Sequence, residues 1–271
     1  MPSFTTVLED TSPMLRYAGS WRAGHSSDDK SAELYTQSSF TVTQVKGDSM
    51  SFNFHGTSVG VFGAKRGNHG NYIIQFDGNT FPQSNGQSTP DEFNQMLFNF
   101  TVDLDIHNLT ISNNDDDKFL DIDYVTFQSN VGQDNETLIV NSYQDNHPSF
   151  AYSPPSSWKT PDAVGMFSGG SGHVATDPSA SVTFTFQVRD AIVLYGPVGP
   201  NQTAKYSVQV DKGSASFFNA DREFYRPQQI LFYAGNLGPG NHSLYLQLVS
   251  TPGELAIDYA NVYTAPSLGG R

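Results

Sequence analysis

The chain is written twice, and this limits what it can fold into more than any other feature. Glu9-Asp10-Thr11-Ser12-Pro13-Met14-Leu15-Arg16-Tyr17 returns as Gln144-Asp145-Asn146-His147-Pro148-Ser149-Phe150-Ala151-Tyr152. Leu120-Asp121-Ile122-Asp123-Tyr124-Val125 returns as Leu255-Ala256-Ile257-Asp258-Tyr259-Ala260. Both returns come 135 residues later, from Asp10 to Asp145 and from Asp123 to Asp258. A period that long is a whole domain, not a unit of a solenoid. The 271 residues therefore read as two diverged copies of one domain, 1–131 and 132–271, each large enough to bury its own core. A polar linker with Gly132 runs from Gln128 to Glu136.

Apolar residues alternate with polar ones, and helical periodicity is nearly absent. In copy one, Phe52/Phe54, Val59/Val61, Tyr72/Ile74/Phe76, Met96/Phe98/Phe100/Val102, Leu109/Ile111 and Leu120/Ile122/Tyr124 each fall on one side of an extended segment. Asp77-Gly78 is a hairpin signal. Copy two repeats the rhythm with Val182/Phe184/Phe186/Val188, Ile192/Leu194, Tyr206/Val208/Val210, Ile230/Phe232, Leu244/Leu246/Leu248 and Leu255/Ile257/Tyr259. About eight short strands per copy, bounded by turn residues, predict an all-β chain of two tandem antiparallel β-sandwiches of jelly-roll type.

The net charge is −13, divided as −9 before and −4 after Val131, with no basic stripe in either half. That argues against nucleic acid as a partner. No apolar run is long enough to span a bilayer, so a membrane would be reached only through a segment outside this sequence. Cysteine is absent, which excludes disulfides and thiol chemistry. Five Asn-x-Ser/Thr triplets, at Asn99, Asn108, Asn135, Asn201 and Asn241, point to a secreted or cell-surface glycoprotein. Met1-Pro2-Ser3 leads into polar residues rather than a signal peptide, so a secreted protein would be in its mature form here.

An ordered set of segments carries a resemblance. Tyr17-Ala18-Gly19-Ser20-Trp21 is followed by Phe54-His55-Gly56-Thr57-Ser58-Val59-Gly60-Val61-Phe62-Gly63-Ala64 and by Gly67-Asn68-His69-Gly70-Asn71-Tyr72. Phe76-Asp77-Gly78, Leu97-Phe98 and Leu120-Asp121-Ile122-Asp123-Tyr124-Val125 complete it. Together they resemble the tandem jelly-roll ectodomains of secreted and single-pass membrane proteins of basidiomycete fungi, which are similar to galactose-binding-like domains, the fold of many carbohydrate-binding modules. Copy two matches less well: two extra residues precede Trp158, and the Gly-Asn-His-Gly segment becomes Gly199-Pro200-Asn201-Gln202. The resemblance implies the fold and, through it, glycan or polysaccharide as a partner. It also implies a structural calcium where the first and last strands meet, with Asp10 and Asp123 in copy one and Asp145 and Asp258 in copy two as ligands. Such an ion takes six to eight oxygens; the other reading of these residues is turn formation and capping of backbone amides.

Two further groups are candidate ligand contacts. Trp21 and Trp158, the two tryptophans, hold equivalent places; a flat ring can cover the apolar face of a pyranose, or else plug the end of a sandwich with Tyr17 or Tyr152. The loop from Ala64 to Asn71 concentrates donors: Lys65 and Arg66 suit hydroxyls or a carboxylate, and Asn68 and His69 both donate and accept. Copy two has no charge in the matching loop, so binding is expected in copy one. Catalysis has little support. Gly169-Gly170-Ser171-Gly172-His173 lacks the final glycine of a nucleophile elbow and reads as a flexible loop, and the seven histidines show no metal spacing. Asn113-Asn114-Asp115-Asp116-Asp117-Lys118 lacks an EF-hand pattern and reads as a solvated hairpin tip. The resulting expectation is an extracellular, non-catalytic carbohydrate-binding protein that uses loops or a groove of the first copy. The alternatives are a polysaccharide hydrolase or lyase with carboxylates in a cleft between the copies, and a structural or sensing ectodomain of a fungal membrane protein.

Overall fold

A computed structural model describes residues 1–270 apart from 28, 188–190, 201, 203–204 and 250–252. Val188 and Asn201 thus lie outside the described residues. The chain divides into two compact units, Phe4–Ser129 and Asn130–Arg271, the latter including Met1–Ser3. They are called the first and second domains below.

The structure is all-β and antiparallel, with short 3-10 turns. The first domain contains β1 (Ser3–Glu9), β2 (Arg16–Ala18), β3 (Arg22–Gly24), β4 (Phe40–Thr43), β5 (Ser49–Lys65), β6 (Asn71–Phe76), β7 (Asn79–Thr80), β8 (Ser84–Asn85), β9 (Glu92–Asn113), β10 (Leu120–Ile122) and β11 (Tyr124–Asn130). The second contains β12 (Ile139–Gln144), β13 (Phe150–Ser153), β14 (Trp158–Lys159), β15 (His173–Ala175), β16 (Ser181–Gln187), β17 (Ala191–Val198), β18 (Lys205–Val210), β19 (Ser216–Asn219), β20 (Arg226–Ala234), β21 (Asn241–Leu248), β22 (Leu255–Ile257) and β23 (Tyr259–Thr264).

In the second domain two sheets, β12-β23-β17-β20 and β13-β16-β21-β18-β19, form the sandwich. Tyr143 on one sheet meets Phe184 on the other edge to face at 5.3 Å. In the first domain the same two layers are joined, because β5 and β9 run through both. The first part of β5 pairs with the last part of β9, as β16 pairs with β21; the rest of β5 pairs with β11 and the start of β9, as β17 pairs with β23 and β20. Short strands were expected throughout, yet β9 is 22 residues long. No Gly or Pro interrupts residues 92–113, and a register shift between Gly56 and Ser58 on the partner strand absorbs the bend. Phe54 lies between the layers, 5.4 Å from Phe127 of β11 and 6.4 Å from Phe76 of β6.

Each domain adds a three-stranded sheet at one end, β10-β4-β3 and β14-β15-β22. The matching rows are informative. Arg22, Val42 and Asp121 stand side by side across the first, and Lys159, Val174 and Ala256 across the second. Directly paired residues share one face. In both domains this face is the floor of a cavity.

Candidate functional site

The first-domain cavity has a volume of about 450 Å³ and is lined by Arg22, Asp29, Lys30, Arg66, Asn68, His69 and Asp121, with Phe40 and Phe119 as apolar walls. Three of the four expected loop residues are therefore brought together. The loop is not a solvated turn: the Phe119 amide donates to Asn68 O at 3.1 Å, and the Gly70 amide donates back to Phe119 O. Lys65 ends β5 opposite Glu92 and is not among the lining residues.

Asp121 organises the floor. It is 1% exposed, and its Oδ1 accepts the Ala64 amide at 2.7 Å. Its Oδ2 accepts the Tyr35 hydroxyl at 2.6 Å and lies 2.7 Å from His69 Nε2. Burial and the Asp121 carboxylate push the Tyr35 phenol far up, so it stays a donor. Tyr35 is itself stacked on Phe40, with ring centroids 4.1 Å apart. Gly63 allows this close approach of β5 to β10, since a Cβ there would sit 2.5 Å from the Asp121 carbonyl oxygen. At the rim Arg66 is clamped by Asp29 and Asp91 and lies 5.2 Å from the centroid of the Phe93 ring. Burial opposes the charge on Asp29, but the bonds from Arg66 and the Ser31 amide hold its carboxyl below the usual range. The result is a pocket in which Arg66, Asp29, His69 and Asp121 are held by hydrogen bonds beside an aromatic wall.

The second domain replaces this network. The 3-10 turn that presents Tyr35 recurs with Phe167 in its place, and Gly63 recurs as Gly196. His69, whose amide bonds to Arg66 O, corresponds to Gln202, whose amide bonds to Gly199 O. Tyr35, His69 and Asp121 thus become Phe167, Gln202 and Ala256.

The tryptophans pack. Trp158 is 8% exposed against Tyr152, at 4.8 Å, so it offers no open ring face to a sugar. Trp21 is half-buried against Tyr17 at 5.1 Å, with its indole N–H donating to Ala18 O. Neither lines its domain's cavity. Tyr17 and Tyr152 in turn donate to the carbonyls of Asp10 and Asp145, both at 2.9 Å.

The four aspartates assigned to calcium sit at the junction of first and last strands in both domains. The Asp10 amide donates to Asp123 O and the Asp145 amide to Asp258 O, each at 2.9 Å. Their carboxylates are largely occupied. Asp10 accepts the Ser39 and Thr41 hydroxyls, both at 2.8 Å. Asp145 accepts Ser171 Oγ at 2.5 Å and lies 2.6 Å from His173 Nδ1. Asp258 accepts the Ser168 amide. Two buried carboxylate oxygens lack a partner among the described residues, Glu9 Oε2 and Asp123 Oδ2. Two free oxygens do not fit an ion that takes six to eight, and no group of three or more His, Asp or Glu among the described residues is placed to hold a metal. Burial, together with Asp10, pushes Glu9 up to about 7, and burial with the neighbouring acids pushes Asp123 up to about 8.

Three arrangements escaped the sequence reading. The Gly-Gly-Ser-Gly-His segment is not a loose loop: Ser171 and His173 hold Asp145, and His173 stacks on Tyr152 at 3.9 Å. Asp116, Asp117 and Lys118 form the exposed tip expected, but Asp115 beside them caps the Asn71 amide at 2.7 Å. A histidine lock recurs in both domains. His107 lies between Asp77 Oδ2 at 2.7 Å and Asp103 O at 2.9 Å; His242 lies between Asp211 Oδ2 at 2.9 Å and Gly238 O at 3.0 Å. Asp77 and Asp211 also accept the amides of Asn108 and Ser243, closing the hairpin each begins. The only signal was an Asp at a turn paired with a distant His at nearly the repeat spacing.

No family model and no curated protein matches the chain. Among solved structures it is similar to a Paenibacillus xanthan lyase, at 11% identity over 92% of this chain and 25% of that one, with a TM-score of 0.36. It is also similar to the catalytic domain of a GH87 α-1,3-glucanase, at 15% identity over 48% of this chain and 28% of that one, with a TM-score of 0.35. The CBM36-1 domain of a multidomain xylanase from the hindgut metagenome of Trinervitermes trinervoides matches at 14% identity over 46% of this chain and 96% of that domain, with a TM-score of 0.31. The chain spans about a quarter of the lyase and of the glucanase domain. Similarity this distant speaks to neither substrate nor chemistry.

Proposed function

We propose that the chain is a non-catalytic glycan-binding protein whose first-domain pocket takes a sugar unit. The observation that carries this is the cavity in which Arg66, Asn68 and His69 face Asp29 and Asp121 beside Phe40 and Phe119. Pairs of fixed donors and acceptors match vicinal hydroxyls, and an apolar wall matches the face of a pyranose ring. The pocket carboxylates suit binding better than proton transfer, since both oxygens of Asp121 and of Asp29 are already hydrogen-bonded. Arg22, Lys30 and Arg66 outnumber the two acids, so uronic-acid glycans belong in the test beside neutral ones. Calorimetric titration of wild type and Arg66→Ala against both classes decides it; no heat with either, or equal affinity in the variant, refutes this pocket. A secreted or cell-surface setting follows from the same reading. The asparagines of the four described triplets, Asn99, Asn108, Asn135 and Asn241, are exposed, which suits glycan attachment, and a mass shift on deglycosylation of protein from a eukaryotic host would test it.

A further inference from the structure

We propose that the second domain holds a ligand site of its own, built for a neutral oligosaccharide. A cavity of about 910 Å³ opens over the Lys159–Val174–Ala256 row, the same face of the end sheet that floors the first-domain pocket. Its volume is twice as large, for reasons visible in the floor. Ala256 and Phe167 stand where Asp121 and Tyr35 fill the first domain with a hydrogen-bonded network.

The polar groups left in this cavity are not self-sufficient. Gln202 is 2% exposed; its Nε2 donates to Glu254 Oε1 at 2.7 Å, while its Oε1 is buried with no partner among the described residues. Tyr225 is also among the lining residues, and its hydroxyl is likewise buried and lacks a partner among the described residues. An unmet buried polar group is destabilising, so a group that meets these two gains their hydrogen bonds. One side-chain acceptor and one hydroxyl are what an uncharged polyol requires. Pro161, Pro197, Phe167 and Val174 supply the apolar wall. The charge argues for neutrality: Asp162 and Glu254 outnumber Lys159, the reverse of the first pocket. Burial, with Asp162 adding to it, raises the Glu254 carboxyl, which a bound carboxylate would aggravate.

This site does not depend on the reading of the first pocket. Its test is calorimetric titration of the full chain with neutral oligosaccharides of four or more units, for wild type, Tyr225→Phe, Gln202→Leu and Arg66→Ala. Tyr225→Phe removes only an unmet hydroxyl at nearly unchanged volume, so its melting point should not fall; Gln202→Leu also removes the donor to Glu254 Oε1 and should lower the melting point somewhat, while affinity falls tenfold or more in both. Binding that survives Arg66→Ala and weakens in those two upholds the site, including where the first pocket binds nothing. Binding abolished by Arg66→Ala and unchanged in both second-domain variants overturns it and leaves the first pocket standing. Absence of binding by every neutral oligosaccharide also overturns it, whatever uronic-acid glycans do at the first pocket.

Discussion

Replacing Asp121 by alanine should be among the most damaging single changes in the first domain, and the second domain shows how to relieve it. The Asp121 carboxylate accepts from the Ala64 amide, the Tyr35 hydroxyl and His69, all within 2.7 Å, and is 1% exposed. Asp121→Ala strands those groups, at about 1–3 kcal/mol for each buried polar group, or about 3–6 kcal/mol together after relaxation and water entry. That is a large share of the roughly 5–15 kcal/mol that holds a domain folded. Tyr35→Phe alone removes one donor and leaves Asp121 two others, a loss of about 1 kcal/mol. The double variant leaves no hydroxyl to strand and reproduces the Phe167–Ala256 pair of the second domain. It should be less destabilised than the two singles together by about 1–2 kcal/mol, the coupling expected of residues sharing one network. The chain has two tryptophans, so a Trp158→Phe background makes Trp21 fluorescence a reporter of the first domain during urea unfolding. A loss below about 1 kcal/mol for Asp121→Ala, or strict additivity in the cycle, would refute the claim that this carboxylate organises the floor.

Three other expectations concern charge and close packing. The His107 imidazole is opposed by burial but raised by Asp77 and the Asp103 carbonyl; its contribution is complete below 6.5 and lost as pH climbs through the raised value. Asp77, with burial overcome by the Asn108 amide and His107, is held below 3.8, so its share is present above 3.8 and lost as pH falls through the lowered value. His107→Gln should therefore destabilise the first domain most between those limits and little well above them, as read from urea midpoints across pH. The raised carboxyls act in the opposite sense: Asp123 favours folding at low pH, and that benefit fades as pH rises from 3.8 through about 8. Asp123→Asn should gain stability relative to wild type at pH 9 over pH 5, and adding or chelating calcium should leave the melting point unmoved; a rise of several degrees with calcium would restore the metal. Gly63→Ala, whose Cβ would meet the Asp121 carbonyl at 2.5 Å, should destabilise by about 1–3 kcal/mol, as should Gly196→Ala against the Ala256 carbonyl at 2.4 Å.

Duplication, the all-β class and the layered sandwich were legible in the sequence because they depend on local patterning. Alternation of Phe52/Phe54 or Leu244/Leu246/Leu248 dictates which side of a strand is buried whatever the strand packs on. The Arg66, Asn68 and His69 loop was legible for a similar reason, as a cluster of donors between two strands. The pocket itself was not. Asp29, Tyr35 and Asp121 lie far from that loop in sequence and meet it only because β3, β4 and β10 form a sheet beneath it. The comparison between copies was obscured too: strand ends keep the 135-residue spacing, but insertions and deletions shift Tyr35 to Phe167 and His69 to Gln202, so the substituted network cannot be aligned by period alone. Patterning is set residue by residue along the chain. Whether a carboxylate such as Asp10 or Asp123 holds an ion, a hydroxyl or a proton depends on which groups the fold brings within 3 Å of it, and that only the tertiary structure decides.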